Sequence, residues 1–250
     1  MSTEHNMADL LEQKSGDIRI GIIGAMDEEV ELLKASLDNR EDHVIAGYHL
    51  FTGKLHGKEI VLLKSGIGKV NAAIGTTILL QTFKPDCIIN TGSAGGYDPE
   101  LNVGDIVISS EVRHHDVDLT VFGYEYGQVP RQPAAYTPDE TLAAVAEKCI
   151  ARMDGMKTVR GLIATGDQFM NDPDRVERKR KLFPQMKAVE MEAAAIAQTC
   201  LQFGTPFIII RALSDIAGKE SGVSFDQFLI TAAKHSAEMI IAMIDELASN

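Results

Sequence analysis

Thiols are scarce, basic charge is in deficit and long apolar runs are absent, and each shortage removes a class of protein from consideration. The three cysteines, Cys87, Cys149 and Cys200, are isolated, odd in number and set among apolar neighbours. They suit neither a disulfide framework nor a zinc site, and no metal is expected. A reducing, cytoplasmic setting fits them best. Lys and Arg number 24 against 36 Asp and Glu, a formal net charge of −12. Nucleic acids and anionic membranes reward clustered cations, so neither is an expected partner, and a neutral or cationic small ligand is. No stretch approaches the ~18 apolar residues of a membrane span. Residues 1–17 carry Glu4, Asp9, Glu12 and Asp17 without the apolar core of a signal peptide, and they read as a flexible, solvated tail.

The 250 residues are 45% apolar, enough to bury a full core, and no linker, repeat or low-complexity segment divides them. Residues 18–250 therefore read as a single domain. Short apolar runs alternate with amphipathic stretches, the pattern of a mostly parallel sheet covered by helices. Strands are expected over 18–24, 43–52, 59–64, 86–90, 105–112, 158–164, 187–189 and 206–213. Helices are expected over 26–37, 69–83 and 174–183, the last capped by Asp172 with Pro173 in its first turn. Its Arg175, Arg178, Lys179, Arg180 and Lys181 read as a solvated face. Ser224 and Gln227 have capping-box spacing and open a terminal helix with apolar positions Phe228, Ala232, Met239, Met243 and Leu247.

The chemistry concentrates where apolar strands end, which is where open α/β sheets bind ligands. In the segment 189–197, Glu190 and Glu192 sit between an apolar strand and an apolar helix. Burying a polar group without a partner costs about 2–7 kcal/mol. Either a ligand or the helix N-terminus must satisfy these acids. After the first strand, Glu29 flanks the apolar helix face of Met26, Val30 and Leu33, while Asp27 and Glu28 point away from it. Glu29 is either an inward-looking acid or a wet helix-edge carboxylate. Asp215 ends a doubly buried strand that also holds Arg211 and Ser214. It either caps the next segment or acts as a general acid that burial keeps protonated. Residues 90–96 form a small-residue turn able to bring backbone N–H groups and the Ser93 hydroxyl against a ligand.

Several near matches fail. Ser93, Asp215 and His235 occur in the chain order of an α/β-hydrolase triad, but Thr91 replaces the first glycine of the elbow, and His235 lies deep in a helix. Gly66-Ile67-Gly68-Lys69-Val70-Asn71 has Asn71 where a dinucleotide fingerprint needs its third glycine, and it does not fit a Walker loop. His114 and His115 are adjacent on one strand, which cannot present both to one ion, so a structural or interface strand is expected.

Taken in order, the motifs GIIGAMDEEV, SGIGKVNAA, INTGSAGG, FGYEYGQ, ATGDQFMN, VEMEAAAIA, RALSD and SFDQF resemble those of the bacterial 5′-methylthioadenosine/S-adenosylhomocysteine nucleosidases. The resemblance runs from about Ile18 to the C-terminus. It implies a nucleoside-phosphorylase-like three-layer fold, a central mixed and partly barrel-like sheet flanked by helices, and a homodimer without a cofactor. It implies hydrolysis of the bond between adenine and a 5′-thio-substituted ribose. By that likeness Asp215, positioned by Ser214, protonates the adenine, and Glu192 binds the ribose hydroxyls beside Met191 and Met26. Glu29 holds and deprotonates the water, with Ser93 and Arg211 as neighbours. Ala94, Gly95, Phe169 and Met170 form the purine slot, and Phe225 covers the ribose. Leu119, Phe122, Tyr124 and Pro130 line the partner subunit's 5′-alkylthio pocket. The same likeness leaves 5′-deoxyadenosine and aminofutalosine as alternative substrates. A phosphorylase or a non-catalytic nucleoside-binding protein of the same fold are the competing readings. Phosphate sites of the phosphorylase class use arginines in regions where this chain has Asp27, Glu28, Glu29 and Asn90.

Overall fold

The isoleucine-rich first strand is the natural centre of a sheet, because Ile20, Ile22 and Ile23 need cover on both faces and are wholly buried. The computed structural model describes residues 6–14, 17–153, 156–217 and 221–249. In chain order its strands are β1 (Arg19–Gly24), β2 (Asp38–Ile45), β3 (Tyr48–Leu55), β4 (Lys58–Lys64), β5 (Cys87–Asn90), β6 (Ser93–Gly96), β7 (Ile106–His114), β8 (Thr158–Thr165), β9 (Met186–Glu190) and β10 (Phe207–Ile216). The helices are α1 (Met7–Gln13), α2 (Asp27–Ala35), α3 (Lys69–Phe83), α4 (Glu140–Cys149), α5 (Pro173–Leu182), α6 (Ala193–Phe203) and α7 (Ser221–Ser249).

The sheet order is β2-β3-β4-β1-β5-β10-β6-β9-β8-β7, and β7 returns to pair with β10. Five strands thereby close into a barrel, and the other five form an open wing. Parallel pairs predominate, with β2–β3, β3–β4, β6–β9 and β7–β10 antiparallel. β10 belongs to both parts. Phe207, Ile208 and Ile209 pair with β5, and from Ala212 onward the strand pairs with β6. Arg211 lies at this switch. One core packs α1, α2, α4 and α7 against the sheet, and a second packs α3 and α6 on the other side. The layered, partly closed and mostly parallel sheet is the architecture expected from the sequence.

Four local expectations need correction. The strand placed over 43–52 is a hairpin, broken at Ala46 (φ 50°) and Gly47 (φ 85°). Both turn residues adopt the positive φ of a two-residue primed turn, and an alanine gives little warning of that. The turn expected at 90–96 contains strand β6, which β10 and β9 flank. The terminal helix starts at Ser221, ahead of the capping box, and Phe228 is 40% exposed. Lys179 is not on the solvated face. It is buried and donates to the Tyr126 hydroxyl (2.8 Å) and to the His115 carbonyl.

The flexible tail expected over residues 1–17 is also not what residues 6–14 show. Asn6 caps α1 by accepting the Asp9 N–H, the Met7 N–H donates to Asp139 (2.9 Å), and Lys14 pairs with Asp86 (2.6 Å). Met7 is fully buried in the first core. Residues 1–5 and 15–16 lie outside the described residues. Because removing a buried Met side chain leaves a cavity, Met7→Ala should cost about 2 kcal/mol in urea unfolding. An unchanged midpoint would return this segment to the status of a tail.

Candidate active site

Glu29 is placed by the way α2 begins. The turn after β1 leaves the N–H groups of Ala25 and Met26 unpaired, and Glu29, three residues into the helix, reaches back to them with Oε2 at 2.8 and 3.3 Å. Its Oε1 accepts the Ser93 N–H (2.8 Å) and the Ser93 hydroxyl (2.9 Å). With 2% of its surface exposed, Glu29 is the inward-looking acid rather than a wet helix-edge carboxylate. Gly92 makes the approach possible. A Cβ there would lie 2.4 Å from Arg211 Nη1 and 2.7 Å from Glu29 Oε1.

Glu190 and Glu192 differ in their partners. Glu190 ends β9 and caps α6 by accepting the N–H groups of Glu192 (2.9 Å) and Ala193 (2.8 Å). It also takes the Thr165 hydroxyl and Arg211 Nη2, the latter at 2.6 Å. Its partners are structural. Glu192 accepts the Gly68 N–H (2.9 Å) and lies 3.5 Å from Arg211 Nη2. Burial, opposed by Arg211 but reinforced by the charges of Glu190 and Glu29, pushes its pKa up to about 8.

Arg211 is 1% exposed. Nη2 also donates to Asn90 Oδ1 (2.8 Å), and Nη1 lies 3.4 Å from the Ser93 carbonyl. Asp215 arrives by a backbone irregularity. The β10–β6 register shifts between Leu213 and Asp215, so Ser214 is the extra residue of a bulge. Alternation would turn neighbouring side chains to opposite faces, yet Ser214 and Asp215 both line the cavity. The Ser214 hydroxyl donates to Asp215 Oδ1 (2.9 Å). Gly95, opposite Asp215, leaves the acid its space, since a Cβ there would come within 3.2 Å of Oδ2.

These groups surround one cavity of about 420 Å³. Its walls include Met26, Glu29, Ser93, Ala94, Gly95, Phe169, Met170, Met191, Glu192, Ser214, Asp215 and Phe225. All of these were expected from the sequence. Phe169 and Phe225 meet edge to face, with centroids 5.8 Å apart. Arg211 supports the wall from behind and is not part of the lining. Leu119, Phe122, Tyr124 and Pro130 do not enter the cavity of their own chain; Phe122 is 73% exposed. The triad alternative fails, because the Ser93 hydroxyl donates to Glu29 and His235 lies against the Gly104 carbonyl (3.1 Å). His114 and His115 are buried, and burial together with Lys179 lowers the His115 pKa to about 4. Among the described residues no cluster of His, Cys, Asp or Glu could hold a metal.

Sequence reasoning missed Ile67, Gln168 and Asp226 in the walls, and the Gly68 N–H that holds Glu192. The signal for Gly68 was present in the Gly66-Ile67-Gly68 turn. Two glycines at φ 78° and 96° turn a backbone amide outward at the start of α3. As a dinucleotide fingerprint or a Walker loop the turn failed, and as part of the SGIGKVNAA motif it was given no residue role.

Residues 19–245 match the model of the phosphorylase superfamily, which sets the class of protein that this fold and cavity define. Within it, the chain is 65% identical over 227 residues to a 5′-methylthioadenosine/S-adenosylhomocysteine nucleosidase of Geobacillus kaustophilus (strain HTA426), covering 91% of this chain and 97% of the relative. It superimposes with a TM-score of 0.91 on the corresponding enzyme of Colwellia psychrerythraea 34H in complex with adenine, at 52% identity and covering 92% and 96% of the two chains. A more distant neighbour is the futalosine hydrolase of Helicobacter pylori strain 26695, with a TM-score of 0.86, 34% identity and coverage of 92% and 98%. The chain belongs to the family of 5′-methylthioadenosine/S-adenosylhomocysteine nucleosidases.

The raised pKa of Glu192 has a sign that can be checked. The folded state holds this proton more tightly than the unfolded chain, so its contribution to stability is complete at low pH. It is lost as pH rises from the ordinary carboxylate value of 4.5 towards about 8. Glu192→Gln keeps an acceptor for Gly68 but carries no charge. Its thermal midpoint should exceed that of the parent protein at about pH 9 and gain little at about pH 5. An equal gain at both pH values would contradict the buried-charge account.

Proposed function

We propose that the protein hydrolyses the N-glycosidic bond of 5′-methylthioadenosine and S-adenosylhomocysteine, releasing adenine and the 5-thio-substituted ribose. The observation that carries this reading is that Glu29, Glu192 and Asp215, three of the acids in the wall of one cavity, are each held by separate partners. Each matches one demand of the reaction.

Adenine enters the slot of Ala94, Gly95, Phe169 and Met170, where backbone groups and an aromatic face recognise it without a charged side chain. Asp215, aligned by Ser214, delivers a proton to N7 as the C1′–N9 bond breaks and its electron pair goes to the purine, so adenine leaves neutral. The ribose becomes cationic in character. Glu192 takes its 2′- and 3′-hydroxyls, and the positive charge developing on the sugar favours the ionised form of this acid, which in turn opposes that charge. Met26, Met191 and Phe225 exclude water from the rest of the sugar. Glu29 holds the attacking water with Ser93 and takes its proton as the oxygen bonds to C1′. Arg211 contributes positive charge from behind the wall and keeps Asn90, Glu190 and the Ser93 carbonyl in place.

The 5′ substituent is completed in a homodimer, with Leu119, Phe122, Tyr124 and Pro130 supplied by the partner subunit. The exposure of Val121 (84%) and Phe122 (73%) supports this, since apolar side chains held so far into solvent suit an interface. Three buried free thiols fit a reducing cytoplasm. Among the described residues, no helix is long and apolar enough to cross a membrane.

Phosphorolysis is disfavoured by charge. Asp27, Glu28 and Glu29 stand after β1, and Asn90 is already engaged by Arg211. A phosphate would meet carboxylates. The likeness to the Helicobacter pylori futalosine hydrolase favours a second reading, in which the same three acids act on aminofutalosine or 5′-deoxyadenosine. Steady-state kinetics on the four nucleosides separate these substrates.

Adenine release from methylthioadenosine should proceed at full rate in phosphate-free buffer, and Asp215→Asn should lower kcat by about a thousandfold, the middle of the range for removing an acid catalyst. Strict dependence on phosphate, or an active Asp215→Asn enzyme, would overturn the reading.

A further inference from the structure

Two loops that line the cavity meet outside it. The first is the Ile67–Gly68 turn, whose Gly68 N–H holds Glu192. The second comes after β8 and carries Gln168, Phe169 and Met170. Gly68 is the N-cap of α3, and a glycine has no side chain with which to cap a helix. The missing acceptor comes from the second loop. Asp167 Oδ1 takes the Lys69 N–H at 2.8 Å, so α3 is capped in trans by a residue 98 positions away.

Asp167 is itself held. Its N–H donates to Asp116 Oδ2 (3.0 Å), and Asp116 Oδ1 takes Lys69 Nζ at 2.7 Å. Burial opposes the charge on Asp116, but the Lys69 ammonium and the Asp167 amide more than offset it and hold the carboxyl below its ordinary range. The ring therefore runs from the Lys69 amide to Asp167, to Asp116, and back to the Lys69 side chain. It closes around the backbone immediately after Gly68. A side chain at Gly68 would point at the same acid, since a Cβ there would lie 3.2 Å from Asp167 Oδ1.

From this geometry we infer that Asp167 and Asp116 are positioning residues: they clamp the start of α3 so that the Gly68 N–H is fixed on the ribose-binding carboxylate Glu192. The clamp also ties the purine-side loop to the ribose-side turn, so that one set of contacts spaces the two halves of the cavity. The inference rests on Glu192 acting as proposed above. Glu192 faces Glu190 from β9, Arg211 from β10 and Glu29 from α2, with Lys69, Asp116 and Asp167 around the turn that supplies its donor. Among these groups, Gly68 is the hydrogen-bond donor that favours the ionised form apart from Arg211. Loosening it favours the protonated form, which serves a cationic sugar poorly.

The test is the pH profile of kcat/KM for the full-length enzyme on methylthioadenosine. Asp167→Ala removes the acceptor, and Asp167→Asn removes the charge but keeps an acceptor. Asp167→Ala should lower kcat/KM about five- to tenfold at neutral pH and move the acid limb upward by about 0.7 to 1 unit, the scale of a weakened hydrogen bond to a charged group. Asp167→Asn should stay within about threefold of the parent with its limb in place, as an equivalent cap. A limb unmoved in Asp167→Ala, or moved alike in both variants, overturns the clamp. Glu192→Gln separates the two claims. If it remains active, the assignment of Glu192 fails; if it is inactive while the Asp167→Ala limb stays put, only the clamp fails. Thermal midpoints within a few degrees of the parent confirm that each variant is folded, and an unfolded Asp167→Ala leaves Asp116→Ala to be judged by the same limb.

Discussion

One buried guanidinium holds this site together. Arg211 is closed off from solvent and faces Glu190 at 2.6 Å and Glu192 at 3.5 Å, with Glu29 near enough to act on it through charge. Removing such ions from water costs several kcal/mol each, which only close, multiply bonded geometry offsets. Glu190 meets that condition fully and Glu192 only in part. The acid with its hydrogen-bonding capacity filled organises the backbone, and the acid with fewer partners keeps acceptor capacity on the cavity wall.

The fold explains why the arginine stands there. β10 leaves β5 and joins β6 at the residue where Arg211 projects, so its side chain enters the gap between the end of one strand and the start of the next. Asn90 ends the first of these strands and Ser93 begins the second, and Arg211 bonds to both. Gly92, between them, lets Arg211 and Glu29 approach a backbone that any side chain would hold off. Three residues further along β10, the bulge at Ser214 presents Asp215 to the cavity. A single strand therefore carries the cation that gathers two acids and a separate acid that lines the cavity.

Much of this was legible in the sequence because burial leaves a pattern. Acids in apolar surroundings stand out, and Glu29, Asp215 and the pair Glu190 and Glu192 were singled out by that contrast, while the choice of Glu192 over Glu190 came from the family resemblance. The helix over 69–83 was read to the residue, since the Lys84-Pro85 stop marks its end. Backbone chemistry was less visible. Gly68 works through an N–H, Ser214 through a bulge, and the Ala46-Gly47 turn through positive φ, none of which side-chain periodicity encodes. The buried Lys179 was missed for a related reason: a long basic side chain on a charged helix reads as solvated until a carbonyl and a tyrosine are seen to satisfy it. The α1 segment escaped because a single buried methionine, with a backbone amide fastened to Asp139, is too small a signal in a polar stretch.

The dependence of the carboxylate cluster on its cation can be measured directly in Arg211→Met, which keeps a long apolar side chain and removes the charge. At about pH 8 the variant should lose roughly 3–5 kcal/mol of unfolding free energy, the scale for a buried ion pair stripped of one partner. At about pH 5 the loss should shrink by at least half, because carboxylates left without their cation take up protons. A loss of the same size at both pH values would mean that Arg211 fills space rather than balances charge, and would contradict the account.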